Sequence, residues 1–317
     1  MGANDILQHK HAFTGVIEVR YSNPNGEREG SGAPRCDVAT GIGQITDVCL
    51  KRKVREAWRI INDALLYIDN DQALNNKVLE AAKESGTLAP LLAAYQAQKK
   101  TAEDDKKDKD PLDILADAVK KDATLFDQVF QSLLETYPDI RAFGGVFAKM
   151  NQHIDGPVQF TMAESVLPIE IKTISMTRKA IANDEKFYGD GANTMFGEKQ
   201  VVTHALYVFK GEISAVKAAK THFTEEDKEK FFTALKYMFS FDKSAVRSDI
   251  SLRCLYDFEC NSRLGLDAPT FQLWEALEVT PVQDVLDGIR PAQAYEDYTV
   301  TLHEDRVPAG VTIHQIV

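Results

Sequence analysis

Alternation of apolar and polar positions marks the first predicted element. In HAFTGVIEVRYSN, residues 11–23, apolar side chains recur at Phe13, Val16-Ile17, Val19 and Tyr21 before the turn sequence NPNG. A period of two bounded by a turn signal predicts a β-strand. About twenty residues rich in glycine and proline follow without periodicity, and loops of that length are usually functional or disordered.

The next apolar pattern has a helical period. At 100° per residue, one stripe predicts a helix over residues 46–65, with Thr46 or Asp47 as N-cap; the stripe contains Leu50, Val54, Ala57, Ile61 and Leu65. The same wheel predicts a basic face that points away from the core, made of Lys51, Arg52, Arg55 and Arg59.

Residues 66–140 differ in composition from what surrounds them. Helix-forming stretches such as LNNKVLEAAKES are separated by the mixed-charge run TAEDDKKDKDP, which lacks the spacing of a calcium-binding loop. We interpret the segment as an inserted, acidic helical subdomain.

Strand patterns return in the second half of the chain. Strands are predicted near 141–150, 156–178, 201–214 and 248–261, and a helix over 224–239 opens on a capping-box variant of Thr224 and Asp227. Without the insertions, the order of elements is compatible with a ferredoxin-like βαββαβ sheet, as in RNA-recognition (RRM-like) modules. The fold class predicted is α+β.

The net charge of −11 is distributed unevenly. Residues 66–140 hold 15 acidic and 9 basic side chains, and residues 275–317 hold 8 acidic and 2 basic. Residues 46–59 carry five basic side chains against two acidic ones. The acidity is therefore regional and does not exclude a polyanionic partner.

No pattern of catalytic, metal or cofactor residues stands out. Phosphate-loop, dinucleotide, zinc-protease and nucleophile-elbow motifs are missing, and the four cysteines lack zinc-ligand spacing, which favours reduced thiols. Asp37, in the long loop, is the one carboxylate in a suggestive place, although shaping that loop is its simpler role. With neither a membrane-spanning apolar run nor a secretory signal pattern, we expect a cytoplasmic protein with no membrane partner.

One stretch carries a family resemblance. NPNGEREGSGAPRCDVATGIGQITDVCLKRKVRE resembles the CRISPR-associated Cas-seven family, type I-C (Csd-two-like) branch, through NPNG, PR, D-x-x-T-G-x-G and TDVCLKRK in that order. Further resemblance lies in DIRAFGGVFA, GPVQ, ALYVFKGEIS and FDKSAVRSDIS. Glu164 and Glu198 depart from it, since basic residues are expected at both positions.

The resemblance implies a non-catalytic backbone subunit of a Cascade surveillance complex. Its parts would be an RRM-like palm (1–65 and 141–275), a helical finger (66–140), a thumb (about 179–200) and an acidic C-terminal tail (276–317). The implied partners are CRISPR RNA (crRNA), the target DNA strand through that guide, further copies of the chain, and the Cas-five, Cas-eight and small subunits.

Site residues follow from the basic helix and from the family motifs. Lys51, Arg52, Lys53 and Arg55 are expected to contact guide phosphates, and an apolar thumb tip to wedge between bases. The full set of predicted RNA-binding residues is Lys51, Arg52, Lys53, Arg55, Arg59, Asn23, Asn25, Gly26, Arg35, Gln159, Ser165, Met195, Phe196 and Lys199.

Two other functions stay open. In type III complexes the equivalent subunit cuts target RNA with an aspartate in the loop after the first strand, and Asp37 lies in a comparable region. The second alternative is an oligomeric scaffold unrelated to RNA, which would be purified without small RNA.

Overall fold

A computed structural model describes residues 5–27, 32–101, 108–178 and 195–317, without the side chains of 100–101, 176–178 and 195–197. Within these residues an antiparallel sheet of eight strands dominates the fold, and the α+β class is confirmed. Its strands are β1 His11–Ser22, β2 Ile42–Ile45, β5 Val158–Phe160, β6 Ala163–Pro168, β7 Ile171–Arg178, β8 Met195–Ile213, β9 Asp249–Cys260 and β12 Val311–Gln315.

The order of strands in this sheet is β12-β9-β1-β8-β6-β2, and β5 and β7 also pair with β8. Helix α1 (Asp47–Asn62) lies in the chain between β1 and β6, and helix α8 (Glu225–Phe241) lies between β8 and β9. The first connection passes over β8, and the second passes over β1. Two interlocked strand–helix–strand units therefore form the centre of the molecule.

One face of the sheet is covered by α1, α8 and the short α7 (Ala215–Thr221). Phe13, Ile17, Leu50, Val54 and Trp58 are among the fully buried side chains of this core. The prediction that the two long helices lie side by side on the sheet is confirmed.

Both long helices begin where the sequence predicts. Thr46 caps α1 by accepting a hydrogen bond from the Cys49 N–H at 3.2 Å. Thr224 and Asp227 form a reciprocal capping box at the start of α8. Each cap satisfies backbone N–H groups that have no partner inside the helix.

The C-terminal segment 276–317, predicted as an acidic tail, is folded against the sheet. It contains the hairpin of β10 (Leu277–Pro281) and β11 (Tyr298–Leu302), the helix α10 (Gln283–Leu286), and the edge strand β12. Together with α9 (Thr270–Trp274) it covers the second face, where the Trp274 indole donates to the Gly211 carbonyl at 2.8 Å.

Side chains fasten β12 to its neighbour. His314 lies 2.9 Å and His9 2.6 Å from the two carboxylate oxygens of Glu259 on β9. Although partial burial raises the pKa of Glu259, the hydrogen bonds with these two imidazoles lower it to about 2. The carboxylate therefore stays charged at any physiological pH.

Most of the segment 66–140, interpreted from its sequence as a helical insertion, is helical and has a core of its own. It contains α2 (Leu74–Glu84), α3 (Leu88–Thr101), α4 (Pro111–Lys121), α5 (Thr124–Thr136) and α6 (Pro138–Phe143). Leu115, Val129 and Leu133 are fully buried there, and Phe147 packs on them from the hairpin of β3 (Gly144–Phe147) and β4 (Gln152–Asp155).

Several predicted boundaries are wrong. Residues 141–150 are not one strand: they comprise the end of α6, the strand β3 and a 3-10 helix, Ala148–Met150. Leu65, placed in the buried stripe of the first helix, is 64% exposed because α1 ends at Asn62 and Asp63 adopts a left-handed conformation.

The region assigned to the thumb is only partly described. Residues 179–194 lie outside the described residues, and residues 195–200 belong to β8, which begins six residues before the predicted strand. In the described part of the chain no helix has the length and apolar character to cross a membrane. The four cysteines, all of which the structure describes, are free thiols.

Candidate nucleic-acid interface

The NPNG turn is fixed to the beginning of α1. The Asn25 carboxamide oxygen accepts from the Thr46 N–H at 2.9 Å and from the Thr46 hydroxyl at 3.0 Å. The Arg35 N–H donates to the Asn25 carbonyl at 2.9 Å, and Gly26 forms a β-bridge with Pro34. The motifs NPNG, PR and TDVCLKRK are thus held together as one loop-and-helix unit.

The glycines of the D-x-x-T-G-x-G segment have separate structural roles. Gly41 has φ +72°, a conformation that side chains rarely adopt. A Cβ on Gly43 would lie 2.5 Å from the Tyr207 hydroxyl, so only glycine fits there. The Gly43 N–H donates to the Ser165 hydroxyl at 2.8 Å, which fastens this segment to β6.

Asp37 closes its own turn. One carboxylate oxygen accepts from the Ala39 N–H, the Thr40 N–H and the Thr40 hydroxyl at 3.0, 2.8 and 2.8 Å. Hydrogen bonding from Thr40, backbone first and then side chain, lowers the pKa of Asp37. The carboxylate is charged, exposed to solvent and engaged locally.

Two predicted cations of α1, Lys51 and Arg52, differ in how far they reach solvent. The Lys51 ammonium lies 3.2 Å from Asp47 and 3.4 Å from the Gln159 carboxamide oxygen, with 15% of its side chain exposed. Arg52 is 62% exposed and pairs with Glu56 at 2.9 Å. The exposed Arg52–Glu56 pair is weak, so Arg52 can exchange its carboxylate for a phosphate, whereas Lys51 is more enclosed and is held by two partners.

The outward placement predicted for Arg55 is wrong. Its side chain is 9% exposed, its Nε lies 3.0 Å from Asp139, and its guanidinium lies 4.7 Å from the Phe143 ring centroid. Burial, opposed by the Asp139 carboxylate, lowers the pKa of Arg55. The helical wheel treats α1 as packed on one side only. In the structure the helical insertion covers the side of α1 that carries Arg55, through Asp139 and Phe143.

Lys53 is also committed to an internal ion pair. It is 6% exposed and bonds to Asp242, itself 8% exposed, and its ammonium lies 5.8 Å from the Phe239 ring centroid. A phosphate could reach Lys53 only by displacing this pair. The direct phosphate contact predicted for Lys53 is therefore not what this geometry favours.

Three other predicted residues, Ser165, Asn23 and Arg59, bond to other groups of the protein. Ser165 is 5% exposed, and its hydroxyl donates to the Leu167 carbonyl at 2.6 Å. Asn23 is 6% exposed and donates to the Gly32 and Gln200 carbonyls. Arg59 is half-exposed and pairs with Asp69 at 2.9 Å, at the far end of α1 from the NPNG turn.

Sequence reasoning missed a basic loop that the fold brings to the NPNG turn. The Asn23 N–H donates to the Val246 carbonyl at 2.6 Å, so the loop between α8 and β9 lies against the turn. This loop carries the exposed Lys243 and the half-exposed Arg247, whose Nε lies 2.9 Å from Asp242. The segment FDKSAVRSDIS, which resembles the family, carries the sequence signal for this loop.

These segments together form what we call the basic rim. Its members lie on segments next to the NPNG turn, joined to it directly or through α1, and they are Arg35, Lys51, Arg52, Lys199, Lys243 and Arg247. Guanidinium and ammonium groups spread over neighbouring segments fit an extended polyanion better than a small ligand, because each can meet a separate phosphate.

A family profile described as CRISPR-associated protein Cas7 matches residues 9–303. The chain belongs to the Cas7 family. The matched range includes β1 to β11 and every member of the basic rim. No curated protein sequence gives a significant match.

Solved structures with a similar fold to this Cas7 chain include two surveillance complexes. A chain described as "CRISPR RNA-guided surveillance complex, pre-nicking" is 17% identical over 78% of each chain, with a TM-score of 0.47. A chain described as "CRISPR RNA-guided surveillance complex" is 15% identical over 78% of this chain and 75% of that chain, with a TM-score of 0.39.

Two paired strands, β7 and β8, flank the segment predicted as the thumb. Residues 171–178 of β7 pair with residues 195–202 of β8 in a regular antiparallel register. Lys199, half-buried, lies on β8 next to Gln200, whose carbonyl accepts from Asn23. The predicted wedge residues Met195 and Phe196 pair with Arg178 and Thr177, but their side chains lie outside the described residues.

Proposed function

We propose that this chain is a non-catalytic crRNA-binding backbone subunit of a type I Cascade complex, of subtype I-C. Copies polymerise along the guide, hold its phosphates and present its bases to a target DNA strand in antiviral defence. The observation that carries the proposal is the basic rim, built from the NPNG loop and α1 of a Cas7-family chain. The subtype rests on the NPNG and TDVCLKRK motifs.

The sheet supports an RRM-like palm. The neighbours β9-β1-β8-β6 follow the order produced by two split strand–helix–strand units, as in a ferredoxin-like fold. The second face of this sheet is covered by residues 268–302, so the RNA would follow the loops at the strand ends instead of the open face of the sheet.

The proposed division of labour separates affinity from sequence. Phosphate contacts carry no sequence information, so a rim of cations suits a subunit that must bind any guide. The bases stay available for pairing, as in other RNA-guided effectors. Stacked copies need two different complementary surfaces, with the Cas-five, Cas-eight and small subunits at the ends or side of the array in a cytoplasmic complex.

The charge reversal Lys51→Glu with Arg52→Glu tests the rim. We expect guide affinity to fall by roughly tenfold or more, and the slope of log K against log salt to flatten by about 1.4, as for two lost single-strand phosphate contacts. Binding of a full-length guide is measured by filter retention over a salt series.

A matched control makes the same charge change elsewhere. Lys120→Glu with Lys121→Glu reverses two exposed cations on α4 of the insertion. It should leave the salt slope unchanged. If wild type and the α1 variant bind the guide with equal affinity and equal salt slope, Lys51 and Arg52 do not contact its phosphates. If the chain purified from its native source carries no small RNA, the scaffold alternative is favoured.

Asp37 separates the proposed function from the catalytic alternative. Because its carboxylate is engaged with Ala39 and Thr40, we expect Asp37→Ala to loosen the turn without changing any cleavage activity. The assembled complex should leave a complementary target RNA intact on a denaturing gel, with or without the substitution. Target RNA cutting that Asp37→Ala abolishes would establish the type III-like ribonuclease instead.

A further inference from the structure

A cationic cleft lies at the end of β1, and its lining includes neither a predicted RNA-binding residue nor a member of the basic rim. It encloses about 580 Å³ between β1, the start of β7 and the loop 291–293. Its walls are Arg20, Tyr21, Glu170, Ile171, Lys172, Thr173, Thr203, His204, Pro291, Ala292 and Gln293. The volume accommodates a single nucleotide, and the lining combines an aromatic ring with two cations.

Tyr21 is held in this cleft against its backbone preference. Its φ is +42°, a value rare for a bulky residue, and the side chain is 56% exposed although residues 11–19 of the same strand are buried. A strained, exposed aromatic side chain is not explained by packing, and such strain concentrates at functional sites.

The cations beside the ring are only weakly paired. The Lys172 ammonium lies 5.8 Å from the Tyr21 ring centroid. Arg20 is half-exposed, and its Nε lies 3.9 Å from the equally exposed Asp249. Glu170 is the carboxylate in the lining, and it accepts a hydrogen bond from the Thr203 hydroxyl at 3.1 Å.

We propose that this cleft binds one nucleotide of the single-stranded guide, with its base on the Tyr21 ring and its phosphate between Arg20 and Lys172. The inference rests on the proposed function and extends it from phosphate contacts to a base-stacking position. An aromatic platform flanked by cations is a sequence-tolerant way to hold single-stranded nucleic acid. Tyr21 precedes Asn23 by two residues, so the cleft continues the path of the basic rim.

Photo-crosslinking of the full chain bound to a guide that carries 5-iodouridine tests this directly. In the wild-type chain we expect mass spectrometry to find an RNA adduct at Tyr21. The Tyr21→Phe variant should keep the adduct at residue 21. The double variant Arg20→Ala with Lys172→Ala should give less of it. Tyr21→Gly should weaken guide binding by roughly five- to a hundredfold, the range of one base–aromatic stack.

Tyr21→Gly also contains its own folding control, because glycine adopts a positive φ without strain. Its melting temperature should equal or exceed that of wild type. If a guide binds wild type and Tyr21→Gly equally and no adduct forms at residue 21, the cleft does not bind a nucleotide, and the proposed function is unaffected. A wild-type chain that binds no guide overturns both.

Discussion

Arg55→Ala should lower the free energy of unfolding by about 3–5 kcal/mol, the cost of removing one partner from a buried ion pair. Asp139, the partner, is fully buried and also accepts from the Tyr67 and Ile68 N–H groups at 2.8 and 3.1 Å. Without the guanidinium, its negative charge stays buried with two backbone donors. The pair joins α1 to the insertion, so the loss is felt in both cores.

Urea unfolding of the purified chain measures the effect, and Arg52→Ala is the matched control. Arg52 lies three residues earlier on the same helix, is 62% exposed, and should cost no more than about 0.5 kcal/mol. If the two variants lose equal stability, the buried pair is not what holds α1 to the insertion. Charge reversal at Arg55 would therefore impair RNA binding by unfolding, which is why the RNA test uses Lys51 and Arg52.

Asp227→Ala should destabilise the protein by a similar amount, about 3–5 kcal/mol. Its two carboxylate oxygens each lie 2.7 Å from the Arg141 guanidinium, in a bidentate arrangement that is nearly buried. The same carboxylate accepts from the Thr224 N–H at 3.2 Å and completes the capping box of α8. One substitution removes an ion pair and one half of the capping box, while the Thr224 hydroxyl still accepts from the N–H of residue 227.

Chemical denaturation followed by circular dichroism measures this loss. Asp227→Asn keeps a capping oxygen but not the charge, so its loss should fall between wild type and Asp227→Ala. Glu226→Ala, in the same helical turn and exposed, is the control and should change stability by about 0.5 kcal/mol or less. An Asp227→Ala variant as stable as Glu226→Ala would contradict the structural role of the pair.

Local patterns were sufficient for the elements of the palm. The alternation of Phe13, Ile17 and Val19 predicted β1, and the Thr46 and Thr224 caps predicted the starts of both long helices. These predictions succeed because strand periodicity and N-capping depend on residues within one or two turns of each other.

The family was also accessible from the sequence, since NPNG and TDVCLKRK lie within the range 9–303 that the Cas7 profile matches. The structure adds the reason for the spacing of these motifs. Asn25 and Thr46 must meet for the turn to reach the N-terminus of α1, and Gly43 must be small for the loop to pass Tyr207.

Which cations face solvent was decided by tertiary structure. A helical wheel divides α1 into one apolar stripe and the rest, but α1 contacts both the sheet and the insertion, and Asp139 lies 84 residues from Arg55. Lys53 meets Asp242 across 189 residues, and Asn23 meets the loop that carries Arg247. Partners that far apart leave no periodic trace, so the sequence by itself determined the elements, the motifs and the family, while only the packing of distant segments decided which basic side chains are structural and which remain free to meet a phosphate.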